Sequence, residues 1–577
     1  MPVLNKDIAD IFNKVADLLD IKDANPFRIR SYRTAAQAIS NLSRNVADMI
    51  ENGEDLTEMH GIGKDLASKI KEIVETGSLK QLEKLEKEVP SELSDMMKLS
   101  ELGPKRVKTI YKELGIESIV DLKKAAEKGK LQDVEGLGEK TEKKILEEIE
   151  RWEEKGGEYQ RFKLVDAEEI TKPLLNYLDD MEEVKKVKAA GSYRRRKETV
   201  GDMDILVTCK KGTREKVMDD FVSYEDVDRV VSQGKTRSTV ILKNGLQVDL
   251  RAVAQVSYGA ALYYFTGSKA HNIKVRKRAV KKHLKVNEYG VFKNDKRVAG
   301  KTEKEVFKKV GLPFIQPELR EDRGEIEGGL KNELPHLVTM DDIKGDLHSH
   351  TKATDGKYSL QEMAKAAQDK GYEYIAISDH SKRVSMANGL DEKRLRKQIE
   401  EIDKMNDKNK KFQILKSIEV DILKDGSLDL PDQVLNELDI VNCSVHYNRN
   451  LSREKQTQRI LRAMENKYFN IFCHPTGRLI GKREGYDIDM EKIMKEAKDR
   501  GCFLEINADP ERLDLSDIHA RMAKDMGIKI AVSTDAHTVS ALDNIRFGVG
   551  QARRAWLEAD DVLNTRSWKE IEKLIRS

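Results

Sequence analysis

Seven times between residues 346 and 537 an apolar, strand-like run ends in a residue able to bind a metal. The runs finish at Asp346 to His350, His380, Glu419, His446, His474, Glu505 to Asn507, and Asp535 to His537, most of them preceded by a helical pattern. Alternating strands and helices fold as a parallel sheet curled into a barrel, in which functional groups collect at the C-terminal strand ends. That geometry gathers His348, His350, Asp355, His380, Glu419, His446, His474, Asp535 and His537 at one mouth, including six of the chain's eleven histidines. A lone histidine at a strand end is more often a core or capping residue, which seven concerted endings do not resemble. The HxH and DxH spacings put two donors on one strand face. Mixed imidazole and carboxylate donors favour Zn²⁺, Mn²⁺ or Fe over Mg²⁺. Such ions acidify bound water and screen a phosphate ester, so the chemistry indicated is phosphoester hydrolysis.

A second constellation lies upstream, in GSYRRRKETVGDMDILV, Gly191 to Val207. As a strand, its second half turns Asp202 and Asp204 to one face and Met203, Ile205 and Val207 to a core. Gly191, Ser192 and Arg194 to Arg196 offer N–H groups, a hydroxyl and guanidinium forks for a polyphosphate. Alone, the aspartate pair fits a solvated turn equally well. Further on, Asn244-Gly245 predicts a hairpin within Ser238 to Ala252, and its second strand carries Gln247, Asp249 and Arg251 on one face. Asp249 then joins Asp202 and Asp204, and three carboxylates on adjacent strands hold two Mg²⁺ for phosphoryl or nucleotidyl transfer. Next, Ser268 to Lys285 holds eight Lys or Arg and no acid, directly after Tyr264 and Phe265. Cations beside aromatics suit nucleic acid.

The N-terminal stretch is helical by periodicity, with Ile8, Ile11, Phe12, Val15 and Leu18 at three- and four-residue steps. Three segments, His60 to Ile70, Glu101 to Tyr111 and Glu135 to Ile145, each set a glycine turn before an amphipathic helix. Unpaired N–H groups at Gly61, Gly63, Gly103, Gly136 and Gly138 are thereby presented to phosphates, as in helix-hairpin-helix motifs that grip a nucleic-acid backbone. Lys69 follows the first turn and either neutralises a phosphate or attacks an abasic sugar as a Schiff-base nucleophile.

GSYRRR…GDMD, VDLR and YFTGS…N, in this order behind helix-hairpin-helix segments, resemble a family X DNA polymerase of prokaryotic type over residues 1 to 320. The resemblance implies a helical N-terminal domain (1–90), fingers (91–160), a nucleotidyltransferase palm (161–257) and a thumb-like subdomain (258–320). It implies two Mg²⁺ at Asp202, Asp204 and Asp249, with Gly191, Ser192 and Arg195 at the triphosphate. Tyr264, Phe265 and Gly267 would sit by the nucleotide's sugar, Asn272 at its base and Arg276 on the template strand. Lys69 matches the family's Schiff-base lysine, whereas Asp65 stands where the animal repair polymerase has another phosphate-binding lysine. Residues 344 to 577 resemble a PHP (polymerase and histidinol phosphatase) domain, a distorted (β/α)7 barrel, with all nine ligand positions filled. That implies up to three Zn²⁺ or Mn²⁺ and 3′-5′ exonuclease, 3′-phosphatase or abasic-site endonuclease activity.

The whole is then a multidomain α+β and α/β enzyme for gap filling in base excision repair, acting on gapped or primed DNA and dNTPs. Residues 321 to 343, acidic and poor in large apolar side chains, are expected to be a linker between independently folded parts. The net charge of +3 among 36% charged residues and four scattered cysteines fit a reducing interior. No apolar run reaches the ~20 residues of a membrane span. A monomer in the cytoplasm, near the nucleoid, is expected. The competing readings are a repair nuclease or a DNA-end-binding scaffold with an inactive polymerase core, and a hydrolase of small phosphates.

Overall fold

A computed structural model describes residues 4–90, 92–97, 99, 102–154 and 160–576, and divides the chain into two units, residues 1–160 and 161–577. In the first, the predicted apolar stripe buries Ile8, Phe12, Val15 and Leu18 on the helix Asn5–Ile21. One core continues from there to Ile145 and Ile149, so the two expected N-terminal domains share it. Gly61 holds φ +88°, and a Cβ there would meet Thr34 Cγ2 at 2.6 Å. Gly63 and Gly103 are the N-caps of Lys64–Thr76 and Pro104–Leu114 without a side-chain cap, which leaves first-turn N–H groups unclaimed by a capping side chain. Gly136 is left-handed too, and Gly138 precedes the helix Glu139–Glu154. Glu101 lies outside the described residues.

The second unit opens on a five-stranded sheet in the order Val184–Ala189, Asp202–Cys209, Gln247–Ala252, Arg237–Leu242, Val227–Gln233. Asp202–Cys209 pairs parallel to Gln247–Ala252 with Asp204 opposite Asp249, and the predicted hairpin turns at Gly245, φ +89°. Met203, Ile205, Val207, Val248 and Leu250 are fully buried beneath them. Leu206, on the carboxylate side of the strand, is buried as well, under Ala190, Ala261 and Leu262.

Seven parallel strands from Gly345–Asp346 to Ile530–Ser533 follow in sequential order. A parallel bridge between Ser349 and Ala536 ties the loop after the first strand to the loop after the last, nearly closing the barrel. Asp535 N–H donates to the His348 carbonyl at 2.9 Å, which reinforces the seam. No helix among the described residues is long and apolar enough to cross a membrane.

The linker expectation is corrected. Residues 321 to 343 carry the helix Glu325–Lys331 and pack into both neighbours: Ile326 joins a core with Phe307 and Trp556, and Val338 one with Ile418 and Leu557. Two of its acids are paired internally rather than solvated: Glu325 is fully buried against His271 (2.6 Å) and Glu321 bonds to Arg195 and Arg554. The sheet and the barrel also share apolar contacts, with Phe547, Ile480 and Leu513 of the barrel buried in the core around Met203 and Val248.

Burial alone raises a carboxyl, but Arg554, then Arg195 and Lys197, outweigh it and hold Glu321 at about 2, below its ordinary 4.5. Asp517 is likewise held down by Arg554 and Arg323 against burial. Folded values below the unfolded ones mean that this stabilisation is complete above about pH 4.5 and is lost as pH falls towards 2. Melting temperature is expected to drop across that window, and Glu321→Gln to flatten the drop; equal slopes in the two proteins would contradict the assignment.

Candidate active sites

In the five-stranded sheet the in-register pair Asp204 and Asp249 forms the floor of a carboxylate cluster, with Asp202 two residues earlier on the same face. Thr239 Oγ1 donates a hydrogen bond to Asp249 Oδ1, and Arg237 Nη2 reaches the same oxygen at 3.1 Å. Arg251 Nε stands 3.9 Å from Asp204 Oδ1, with its guanidinium 4.1 Å over the Phe265 ring. Desolvation, then Asp202 and Asp249, push Asp204 up to about 7, and desolvation and Asp249 raise Asp202. A cluster that resists its own ionisation in this way fits a divalent cation, which removes both penalties. The acids were legible as alternation in sequence, whereas Thr239, Arg237 and Arg251 were not assigned a role. The hairpin register, which sets Thr239 opposite Asp249 and Arg237 two residues away on the same face, was the signal available for both.

Around the cluster, Gly191 holds φ +62° at the start of the single turn Gly191–Arg194, and a Cβ there would lie 3.1 Å from Asp204 Oδ2. The phosphate-type loop with Ser192 is thereby seated directly on the carboxylates. Arg195 is tightly held, Nη1 donating to the Thr266 carbonyl (2.6 Å) and Nε to Glu321 (3.0 Å). Gly267, φ +71°, makes room, since its Cβ would come within 3.1 Å of Arg195 Nη1. Tyr264 and Phe265 pack edge to face at 5.2 Å. Asn272 is buried, its Nδ2 donating to the Tyr264 carbonyl at 2.7 Å, while Arg276 is exposed on the helix Lys269–Lys281. In the N-terminal unit, Lys69 is ion-paired to Asp65 and lies 5.5 Å over the Tyr32 ring.

At the barrel mouth all nine predicted residues converge. His348 Nε2 and His350 Nε2 lie 3.2 Å apart, with Asp535 Oδ1 at 3.0 Å from the latter. His380 and His537 each place Nε2 3.4 Å from Asp355 Oδ2. Glu419 is central: His474 Nε2 is 2.8 Å and His446 Nε2 3.4 Å from its Oε1. Its Oε2 is 2.8 Å from His380 Nδ1, yet both atoms are buried outside hydrogen-bonding geometry. Donor atoms so crowded, with His350 Nδ1, His380 Nδ1, His474 Nδ1 and Glu419 Oε2 buried without a hydrogen bond, fit cations between them, and the mixed nitrogen and oxygen set fits the transition-metal class. Burial lowers His350, with His537 and His380 adding to it, to about 4. Against burial, Glu419 and Asp355 raise His380 to about 10, so opposite charges alternate through the cluster.

The cleft encloses about 300 Å³ and is lined as well by Val384, Met386, Ala387 and Arg512. Two groups here went unassigned from sequence. Glu505 ends one of the seven runs but holds ligands, accepting from His474 N–H at 2.7 Å and lying 2.8 Å from His348 Nδ1. Arg512, in a loop with no motif of its own, brings Nε to 3.8 Å from Asp535 Oδ2.

A carboxylate-bearing sheet followed by a basic helix, joined to a metal-type parallel barrel, defines a nucleotidyltransferase coupled to a phosphoesterase. Family descriptions agree: DNA polymerase beta palm matches residues 165–260, DNA polymerase beta thumb 261–321, and PHP domain 346–509. A helix-hairpin-helix domain matches 3–79 and a SAM-like helix-hairpin-helix tandem 93–151. The chain belongs to the PolX family of family X DNA polymerases with a C-terminal PHP domain: it is 38% identical over 575 residues to the DNA polymerase/3′-5′ exonuclease PolX of Bacillus subtilis (strain 168), covering 99% of each. DNA polymerase lambda of Rattus norvegicus is 27% identical over 323 residues, covering 51% of this chain and 52% of the relative. A probable phosphatase of Thermoanaerobacter sp. (strain X514) is 33% identical over 235 residues, covering 38% of this chain and 89% of its own length.

Because Asp204 sits above its ordinary 3.8, its ionised form costs stability, nothing below that pH and fully above about 7. In EDTA at pH 8, Asp204→Asn is therefore expected to be more stable than wild type by roughly 1 kcal/mol, the usual gain from relieving a functional site, and to melt at a higher temperature. The difference should vanish near pH 4, and Mg²⁺ should raise the melting temperature of wild type but not of the variant.

Proposed function

We propose that the chain fills gaps in DNA during repair and trims ends with a second, independent centre. The register of Asp204 against Asp249, with Asp202 beside them under the Gly191 loop, carries the polymerase assignment. Asp202, Asp204 and Asp249 would hold two Mg²⁺, which when bound supply the charge to acidify a primer 3′-hydroxyl and neutralise a triphosphate. Arg195 and Ser192 bind the phosphates of the dNTP, Tyr264, Phe265 and Gly267 border its sugar, and Asn272 its base, while Arg276 contacts the template. The glycine turns at Gly61, Gly63, Gly103, Gly136 and Gly138 take the DNA backbone. On position alone, Lys69 is assigned the abasic-sugar lyase.

In the barrel His348, His350, Asp355, His380, Glu419, His446, His474, Asp535 and His537 would hold up to three Zn²⁺ or Mn²⁺, which supply the acidity for phosphodiester hydrolysis. Arg512 offers a cation for the scissile phosphate, and Val384, Met386 and Ala387 form an apolar lip for the terminal nucleoside. The reaction class is 3′-5′ exonuclease, extending to 3′-phosphate and abasic-site cleavage. The name of the Bacillus subtilis relative joins the same two activities.

Asp249→Ala is expected to lower nucleotide addition on a one-nucleotide gap by a factor of about 10³ or more and to leave the nuclease intact. His348→Ala is expected to do the reverse. Loss of both activities in either well-folded variant would refute two separate centres, and nuclease without primer extension in wild type would favour the repair-nuclease reading.

A further inference from the structure

The loop expected to hold the triphosphate is anchored from the barrel. Arg554, at the end of the helix Ile545–Arg554, is buried and spreads its guanidinium over three acceptors. Nη1 donates to the backbone carbonyl of Arg195 at 2.8 Å and to Glu321 at 2.9 Å, while Nη2 donates to Asp517 at 2.6 Å. Glu321 in turn accepts from Arg195 Nε. Arg195 is thus gripped at its main chain by Arg554 and at its side chain by the carboxylate that Arg554 holds. One turn earlier in the same helix, a Cβ on Gly550 would touch Arg196 Cβ at 3.6 Å, so the helix backbone lies flat against the loop. Arg546 and Arg196 also share Glu168.

Charge supports the same reading. Arg195, Lys197, Arg323 and Arg554 meet around the two carboxylates Glu321 and Asp517. The excess is positive beside a loop that already sits over Asp204, which suits an incoming polyphosphate. None of these barrel residues touches the histidine cleft, so their arrangement has no part in hydrolysis as assigned above.

We infer that Arg554, contributed by the PHP domain, is a positioning residue for polymerisation: it fixes Arg195 in the orientation that receives the dNTP triphosphate, so the synthetic site is completed by the nuclease domain. This rests on the polymerase assignment proposed above. The fork is essential to it, because a lysine offers one compact charge in place of a planar group that serves Arg195, Glu321 and Asp517 together.

The test compares full-length wild type, Arg554→Met and Arg554→Lys on gapped DNA with Mg²⁺. For Arg554→Met, KM for dNTP is expected to rise about tenfold, the worth of one charge-assisted hydrogen bond, with little change in kcat. The inhibition constant of inorganic tripolyphosphate, competing with dNTP, should rise by the same factor, and Mn²⁺-dependent nuclease activity should be unchanged. Arg554→Lys should shift KM and the tripolyphosphate constant in the same direction by a smaller factor. Wild-type constants in either folded variant overturn the inference, as does a KM shift without a matching tripolyphosphate shift. Full restoration by lysine overturns it too, because that result needs only charge. Should Arg554→Met not fold, Arg554→Lys decides alone. A wild type that adds no nucleotide overturns the polymerase assignment and this inference with it, an outcome separable from normal addition with unaltered variants.

Discussion

The burial of Phe547, Ile480 and Leu513 beneath the carboxylate sheet is the contact on which the rest of the second unit depends. A fully buried Phe removes a large apolar surface from water, worth several kcal/mol when truncated, and here the surface belongs to one catalytic domain while the pocket belongs to the other. Once that core forms, the charged groups at its edge have no water to retreat to. Arg554, Asp517 and Glu321 are left to satisfy one another, which they do through directed, charge-assisted hydrogen bonds. The segment from residue 321 to 343 closes the joint as a strap with apolar residues in both domains.

The two centres solve one electrostatic problem in different ways. The sheet crowds like charges, so Asp202 and Asp204 resist ionisation and the site is poised for a hard cation that returns them to the carboxylate form. The barrel instead interleaves imidazoles with carboxylates around Glu419, and the cluster is held by opposite charges while His380 Nδ1 and Glu419 Oε2, 2.8 Å apart, are each left without a hydrogen bond. Each arrangement suits a different metal class, and with it a different reaction. Supporting groups follow the same division: hydroxyl and guanidinium donors brace Asp249, while the carboxylates Glu505 and Asp421 brace His348 and His446.

Much of this was readable from residues alone. Period-two alternation placed Asp202, Asp204 and Asp249 on one face because strand geometry is local. Repeated strand endings brought nine candidate ligands together because parallel barrels put strand ends at one mouth. Asn244-Gly245 marked its hairpin for the equally local reason that left-handed dihedrals favour those residues. What escaped depended on distance in sequence. Glu505 braces His348 from 157 residues along the chain, and the acidic strap looked solvated because its partners, His271, Arg195 and Arg554, lie in other elements.

The sequence by itself determined the chemical inventory: two sets of candidate metal ligands, a phosphate-type loop and glycine turns of helix-hairpin-helix type, since each is written in residue type and short-range spacing. The tertiary structure alone decided how the two catalytic domains relate. Whether an exposed-looking acid is solvated or locked between arginines, and whether a domain boundary is a tether or a shared core, is set by which apolar surfaces meet across hundreds of residues. Local periodicity records that a face is apolar but not what will cover it.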